Sequence, residues 1–353
     1  MKRIQSVVMA LFFAAGVVPA FAQPEPAIQE KVDVNLVLVD VTVTDRDGNQ
    51  ILGMNRDDFV VLENGRPQEI ASIDYFTNRR LLTEPENEAA FQVERVKEDR
   101  YFVLFFHKLA DSAAVPELRQ QLLRARDAAE RFIDEQMLPE DHVAVVGYDV
   151  RLKVFSDFTS DDAALKVALA EAVRFSNGLM EAPEGVSPSI LANIDSRTMM
   201  NETGRIESAI ELLAKAVNPI EARTVLVLFS PGVVAPESGA PRLLQYDKVR
   251  FDRMTQTLNE SNVSVYSINL LQDVFYHASE DFLSQIAAQT GGEYFRATVT
   301  YDYPLQRIEN ENNGYYLLSY YTDRSPDQHG YQEIEVSLKN PQFRLKSREG
   351  YKY

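Results

Sequence analysis

The sequence predicts an α/β fold class: a doubly wound, mostly parallel sheet flanked by antiparallel β segments. Three observations predict it. From residue 101 to about 312, short and nearly continuous apolar runs alternate with stretches whose apolar residues recur at helical spacing, as in strands covered on both faces and joined by crossover helices. Before residue 78 the apolar residues instead alternate on a period of two, as in half-buried antiparallel strands. After residue 313 that two-residue period returns.

The first residues, MKRIQSVVMALFFAAGVVPAFA, place Lys2 and Arg3 ahead of an apolar run from Val7 to Val18 and end on the small-x-small pattern Ala20-Phe21-Ala22. Residues 1–22 read as a secretory signal peptide, because the run is too short, and too interrupted by Gly16 and Pro19, for a spanning helix. The Pro- and Glu-containing residues 23–32 then make an exposed tether. No later stretch has the apolar length of a spanning helix, so the mature chain is expected to be periplasmic or secreted, with no integral membrane segment. Absence of cysteine excludes disulfides, thiolate chemistry and a lipid anchor on an N-terminal cysteine. The formal net charge is −17, and loss of Lys2 and Arg3 with the leader removes two further positive charges. So acidic a surface repels phosphate backbones, which excludes nucleic acid as a partner.

Residues 33–78 form an N-terminal antiparallel β unit, with tight-turn signals at Asp47-Gly48 and Asn64-Gly65. Asp45-x-Asp47-Gly48 also resembles the opening of a calcium loop, but Leu52, Gly53 and Met54 follow where oxygen ligands are needed, so turn chemistry is the reading. Residues 79–100 are charged, contain Pro85 and have weak periodicity, which makes them a linker. The α/β domain spans 101–312. Its strands are YFVLFFH (101–107), HVAVVGYD (142–149), TVLVLFS (224–230), VSVYSINL (263–270) and GEYFRA (292–297), with a short antiparallel edge strand at 152–155. Leu118, Leu122, Ala125, Ala129, Phe132 and Ile133 lie at helical spacing. So do Ile206, Ala209, Ile210, Leu213 and Val217, then Leu283, Ile286 and Ala287, and a last helix occupies 303–312.

In the C-terminal β segment, 313–353, Tyr315, Leu317, Ser319 and Tyr321 share one strand face, with Tyr316, Leu318 and Tyr320 on the other. Core packing on both faces is expected, in preference to a tyrosine ladder for carbohydrate or peptide. Each terminal β unit is small to stand alone, so the two are candidates for one composite β-sandwich beside the α/β domain.

VNLVLVDVTVTDRDGNQILGMNRDDFVVLENGRPQEI, DHVAVVGYDVRLKVFSDFTSD, QTGGEYF, YYLLSYY and LKSREGYKY follow one another over nearly the whole mature chain. In their order, and in the succession of elements over 101–312, the chain resembles a von Willebrand factor type A domain protein, and more narrowly the acidobacterial VWFA-related secreted family. The resemblance implies a metal-ion-dependent adhesion site (MIDAS) at the C-terminal edge of the sheet. Its pattern is D-x-S-x-S after the first strand, a threonine before a middle helix and an aspartate after the fourth strand. Such oxygen ligands suit Mg²⁺ or Mn²⁺. Here the first loop instead reads His107-Lys108-Leu109-Ala110-Asp111, and Ser230-Pro231-Gly232 puts proline where the aspartate is expected. Only Thr203 or its neighbour Gly204 meets the threonine position. Imidazole prefers zinc, copper or nickel to magnesium, so the site reads as degenerate.

The expected function is a non-enzymatic interaction or adhesion module that binds a protein or cell-surface polymer through the loops at that edge, without a cofactor. Partner-binding candidates are His107, Lys108, Asp111, Ser112, Leu179, Met180, Thr203, Ser230 and Pro231. Leu179 and Met180 share the long 175–201 loop with Ile190 and Leu191, and an insert with no docking role is the other reading of that loop. One alternative is a Mg- or Mn-dependent adhesion domain with a shifted site on Asp111, Ser112, Thr203 and Ser230. A second is a hydrolase using His107 and Asp111 as an acid/base pair. The hydrolase has the least support: His107, His142, His277 and His329 are widely spaced, and Ser230 lies in FSPGV rather than in a nucleophile elbow. Asp149 reads as a turn residue, and the sequence leaves oligomeric state open.

Overall fold

All eight residues of β6 (Arg100–His107) are buried, and in the computed structural model this strand lies inside a six-stranded sheet. The structure describes residues 35–77 (47 excepted), 93–94, 99–109, 116–220, 222–233, 245–271, 277–296, 300–322 and 330–352. They fall within one unit, Val34–Tyr353. The signal peptide and tether lie outside the described residues, as do Asp111, Ser112, His329 and most of the linker.

The sheet runs β11 (Tyr294–Phe295), β10 (Val263–Asn269), β9 (Thr224–Ser230), β6, β7 (Asp141–Tyr148), β8 (Leu152–Thr159). Every pairing is parallel except β7 with β8. Alternate residues of β6 feed two cores. Val103 and Phe105 pack with Ile210 and Leu213 of α4 (Ile206–Val217), Met254 and Leu258 of α5 (Lys248–Glu260), and Phe282 and Ile286 of α6 (His277–Gln289). Phe102, Leu104 and Phe106 pack with Leu118 and Phe132 of α1 (Pro116–Glu135), Leu165 and Leu169 of α2 (Asp162–Arg174), and Leu305 and Ile308 of α7 (Asp302–Glu311). Each of these buried phenylalanines contributes about 1.5–3 kcal/mol relative to exposure. The result is a doubly wound sheet with helices on both faces.

Several elements differ from the sequence expectation. Helices α2 and α5 are additional to those expected from apolar spacing. The buried side of α5 carries Thr255, Thr257 and Asn259 beside Phe251, Met254 and Leu258, which hides its period. Helix α2 buries two alanines with two leucines, a weak signal, and depends on its cap: Asp161 accepts from the N–H groups of Ala163 and Ala164. Strand β11 has two residues rather than six. Just before it, a Cβ on Gly292 would lie 1.9 Å from the Val265 carbonyl oxygen, so only glycine allows this approach to β10. Strand β8 is longer than expected and antiparallel as expected.

The terminal segments pair with each other across the chain. One sheet has the order β14 (Arg344–Ser347), β1 (Asn35–Thr44), β12 (Gly314–Thr322), β4 (Ile70–Thr77), β5 (Val93–Glu94). The other has β15 (Gly350–Lys352), β13 (Tyr331–Leu338), β2 (Phe59–Glu63), β3 (Arg66–Gln68). Both contribute to one core: Val37, Val39, Val41, Tyr316, Leu318 and Tyr320 from the first, Phe59, Val61 and Ile334 from the second. The Asn64-Gly65 turn, with φ of 49° and 75°, closes the β2–β3 hairpin as its residues require. After β1 the chain turns back only as far as a Thr44–Gln50 bridge, because β1 pairs instead with β12 and β14. The expectation for β12 is corrected on one face. Tyr316, Leu318 and Tyr320 are core, but on the other face only Ser319 is buried, with Tyr315 and Leu317 half-buried and Tyr321 56% exposed.

These β sheets dock on the N-terminal edge of the central sheet. Arg223, just before β9, reaches Ser264 Oγ at 2.9 Å and Thr42 Oγ1 of β1 at 3.1 Å. Arg100 makes a two-pronged pair with Asp141 at 2.6 and 2.7 Å and donates to Asn313 Oδ1 at 2.8 Å. Lys346 of β14 lies 2.5 Å from both Glu293 and Glu311, and Arg307 joins the same buried cluster. The opposite, C-terminal edge is left for the loops.

Candidate functional site

In a doubly wound sheet, ligand crevices form outside the strand C-termini where the strand order reverses. Here the reversal falls between β6 and β9. Their register pairs Phe106 with Phe229, so one step further His107 stands level with Ser230. His107 Nδ1 and Ser230 Oγ are 2.7 Å apart. Ser230 Oγ also accepts from the Gly232 N–H at 2.9 Å. The His107 ring meets Tyr148, at the end of β7, edge to face at 5.6 Å.

This pair is interior. His107 is 3% exposed and Ser230 0%. Burial alone pushes the imidazole pKa down to about 3, because nothing compensates the cost of a desolvated cation. At neutral pH the crevice therefore holds an uncharged imidazole and a hydroxyl that satisfy each other.

Thr203 follows α3 (Ser196–Glu202), whose N-cap Asp195 accepts from the Thr198 N–H, and is likewise committed. Its Oγ1 donates to the Met199 carbonyl at 2.5 Å and accepts from the Leu152 N–H at 3.0 Å, with 0% exposure. Pro231 is buried and offers no side-chain donor. His107, Thr203, Ser230 and Pro231, expected among the partner-binding residues, are thus interior in this structure. Among the described residues, no three histidine or carboxylate side chains come together as a metal cage. Of the four residues offered for magnesium, Asp111 and Ser112 lie outside the described residues, the Thr203 and Ser230 hydroxyls each already hydrogen-bond protein groups, and the imidazole beside Ser230 is a poor ligand for that ion. The pairing of His107 is with Ser230, which sequence spacing could not reveal because 123 residues separate them.

Around this plug lie the side chains that do reach the surface. Lys108 sits 5.1 Å from the centroid of the Phe175 ring. Asp149 is a turn residue, accepting from the Val150 N–H at 2.6 Å and Lys153 Nζ at 2.8 Å. Burial raises its pKa, but those hydrogen bonds outweigh the burial and leave it below the usual carboxylate value. Arg151 donates to the backbone carbonyls of Val150 and Met200, whose own side chains are 50% and 57% exposed. Leu179 and Met180 are 38% and 49% exposed, and the Leu179 N–H bonds the Val154 carbonyl of β8.

The 175–201 loop is built around a buried acceptor side chain. Asp157, 2% exposed, accepts from Ser189 Oγ at 2.6 Å and from the N–H groups of Ile190 and Leu191 at 2.8 and 3.1 Å. Ile190 and Leu191 consequently sink to 0% and 6% exposure and belong to the core, whereas Leu179, Met180 and Met200 of the same segment face outward.

No family model matches the chain, and no curated protein matches it. Solved structures similar to it include an aerotolerance-related membrane protein from Bacteroides fragilis, 16% identical over 60% of this chain and 98% of that one, with a TM-score of 0.39. The conserved hypothetical protein BatB from Bacteroides thetaiotaomicron is 15% identical over the same shares, also with a TM-score of 0.39. The vWF domain of the type V pili tip protein Mfa5 from Porphyromonas gingivalis is 11% identical over 61% of this chain and 95% of that one, with a TM-score of 0.40. Likeness of this degree carries nothing about ligand or partner. No helix among the described residues is long and apolar enough to cross a membrane.

Proposed function

We propose that the chain is a metal-independent interaction module, periplasmic or secreted, that binds a protein or cell-surface polymer through the loops at the C-terminal edge of its central sheet. It would be a von Willebrand factor type A-like body, of the VWFA-related kind, whose adhesion site has lost its metal. The His107–Ser230 hydrogen bond carries this reading: a neutral, mutually satisfied pair fills the crevice where charged oxygen ligands would otherwise converge. Binding then falls to the surrounding surface, with Lys108, Val150, Met200, Leu179 and Met180 as its accessible members. Exposed apolar groups held by a rigid scaffold suit recognition, since little order is lost on contact.

The same pair is the arrangement a hydrolase would need, more so than His107 with Asp111. It is poorly built for that task. A nucleophile must be reachable, and an imidazole held at about 3 is a weak base at neutral pH. The test is capture of a partner from an extracytoplasmic extract by the immobilised mature chain in EDTA. Capture should persist in EDTA and be lost in a Val150→Asp, Met200→Asp double variant. Capture that needs added Mg²⁺, or that survives the double variant, would overturn the reading.

A further inference from the structure

On the helical face formed by α4 and α5, an open groove of about 510 Å³ gathers positive charge on an otherwise acidic chain. Lys215 comes from α4, and Arg250 and Arg253 from α5. Glu211 is 5% exposed and accepts from Lys215 at 2.7 Å and from Arg253 at 2.9 Å. One carboxylate thus orients two cationic heads without neutralising both, and both side chains remain more than half exposed. Arg250 donates to Ser208 Oγ at 3.2 Å, a single bond from a group with five donors. With Glu202 also in the lining, three cations face two carboxylates.

The volume is that of a cleft for a multi-atom ligand rather than for a lone ion. Two guanidinium forks match carboxylate geometry. Leu212 adds one apolar contact, and among the described residues no aromatic ring lines the groove to stack on a sugar face. Glu202 disfavours a continuous polyanion and favours spaced negative groups. At physiological ionic strength the screening length is about 8 Å, so the local cations are felt and the distant acidic surface is not. We propose that this groove docks an acidic peptide segment of a partner protein, its carboxylates taken by Arg250, Arg253 and Lys215. The groove uses none of the side chains assigned to the rim, and the proposal does not depend on the reading of the rim.

The probe is a fluorescein-labelled peptide of three glutamates separated by Gly-Ser pairs, followed by anisotropy at 0.15 M salt with the mature chain. Saturable binding is expected, weakened at least tenfold by Arg250→Gln with Arg253→Gln. Arg126→Gln with Lys166→Gln, on α1 and α2 across the sheet, removes the same charge and should leave binding within twofold. Arg253→Gln leaves the buried Glu211 with Lys215 alone and should lower the unfolding midpoint, so binding is compared at a temperature where thermal unfolding shows both double variants fully folded. Equal weakening by the two pairs would reduce the effect to net charge and overturn the proposal. So would absence of saturable binding, binding of heparin in place of the spaced-glutamate peptide, or displacement of the peptide by millimolar inorganic phosphate.

Discussion

Acid should weaken this fold through His107 by an amount that can be worked out. Buried without a counter-charge, the imidazole is held neutral down to about pH 3, whereas in the unfolded chain it titrates near its usual value of about 6.5. Below that value the unfolded state binds a proton that the folded state refuses, so unfolding stability rises with pH across the window from about 3 to about 6.5. The stabilisation is fully present above 6.5 and is lost on acidification at about 1.4 kcal/mol per pH unit. Between pH 7 and pH 5 the loss from this one group is about 2 kcal/mol. The assay is urea unfolding at both pH values of the parent and of His107→Gln, which keeps an amide near Ser230 but cannot titrate. Other carboxylates and histidines contribute to both proteins and cancel in the difference. The parent should lose about 2 kcal/mol more than the variant over this interval. Equal losses, or an imidazole resonance of His107 that titrates between pH 6 and 7, would refute the buried neutral pair.

Three further outcomes follow from the packing. Lys346→Met leaves Glu311, 0% exposed in its side chain, beside Glu293 with Arg307 alone to balance them, and should cost about 3–5 kcal/mol in denaturant unfolding. Asp157→Ala removes the acceptor of three loop hydrogen bonds, so amide exchange at Ile190 and Leu191 should accelerate at least tenfold while that of β6 stays slow. Residues 33–78 expressed alone should show no cooperative unfolding transition by circular dichroism, because β1 is paired with β12 and β14, which that fragment lacks.

The architecture was legible where burial alone decides a strand. The run YFVLFFH needs two covered faces, and TVLVLFS and VSVYSINL repeat the demand, so a parallel sheet with helices on both sides was readable from pattern. Helix α5 was not, because Thr255, Thr257 and Asn259 occupy buried positions and bond locally or to neighbouring loops. The composite sandwich was readable only as a need, since two small β units each lacked a second layer. Its actual register, Asn35 with Thr322, is a contact between chain ends that no local rule fixes. At the rim, the replacement of an expected aspartate by His107 was visible in the sequence. Its partner was not, because two parallel strands bring Ser230 beside it only in the folded sheet. Ile190 and Leu191 read as ordinary loop residues until the buried Asp157 carboxylate explains why they turn inward. The α4–α5 groove had no sequence signal, for its cations are scattered among the many charges of two amphipathic helices.

The loss of the metal site is tested most directly by thermal unfolding of residues 23–353 in EDTA and then in saturating Mg²⁺, Mn²⁺, Ca²⁺ or Zn²⁺. An ion at a hundredfold excess over its dissociation constant adds about 2.7 kcal/mol to the folded state, a shift of several degrees. With His107 and Ser230 satisfying each other, the midpoint should be the same in every ion and in EDTA. A Mg²⁺ or Mn²⁺ shift of several degrees, abolished by Asp111→Ala, would contradict the account.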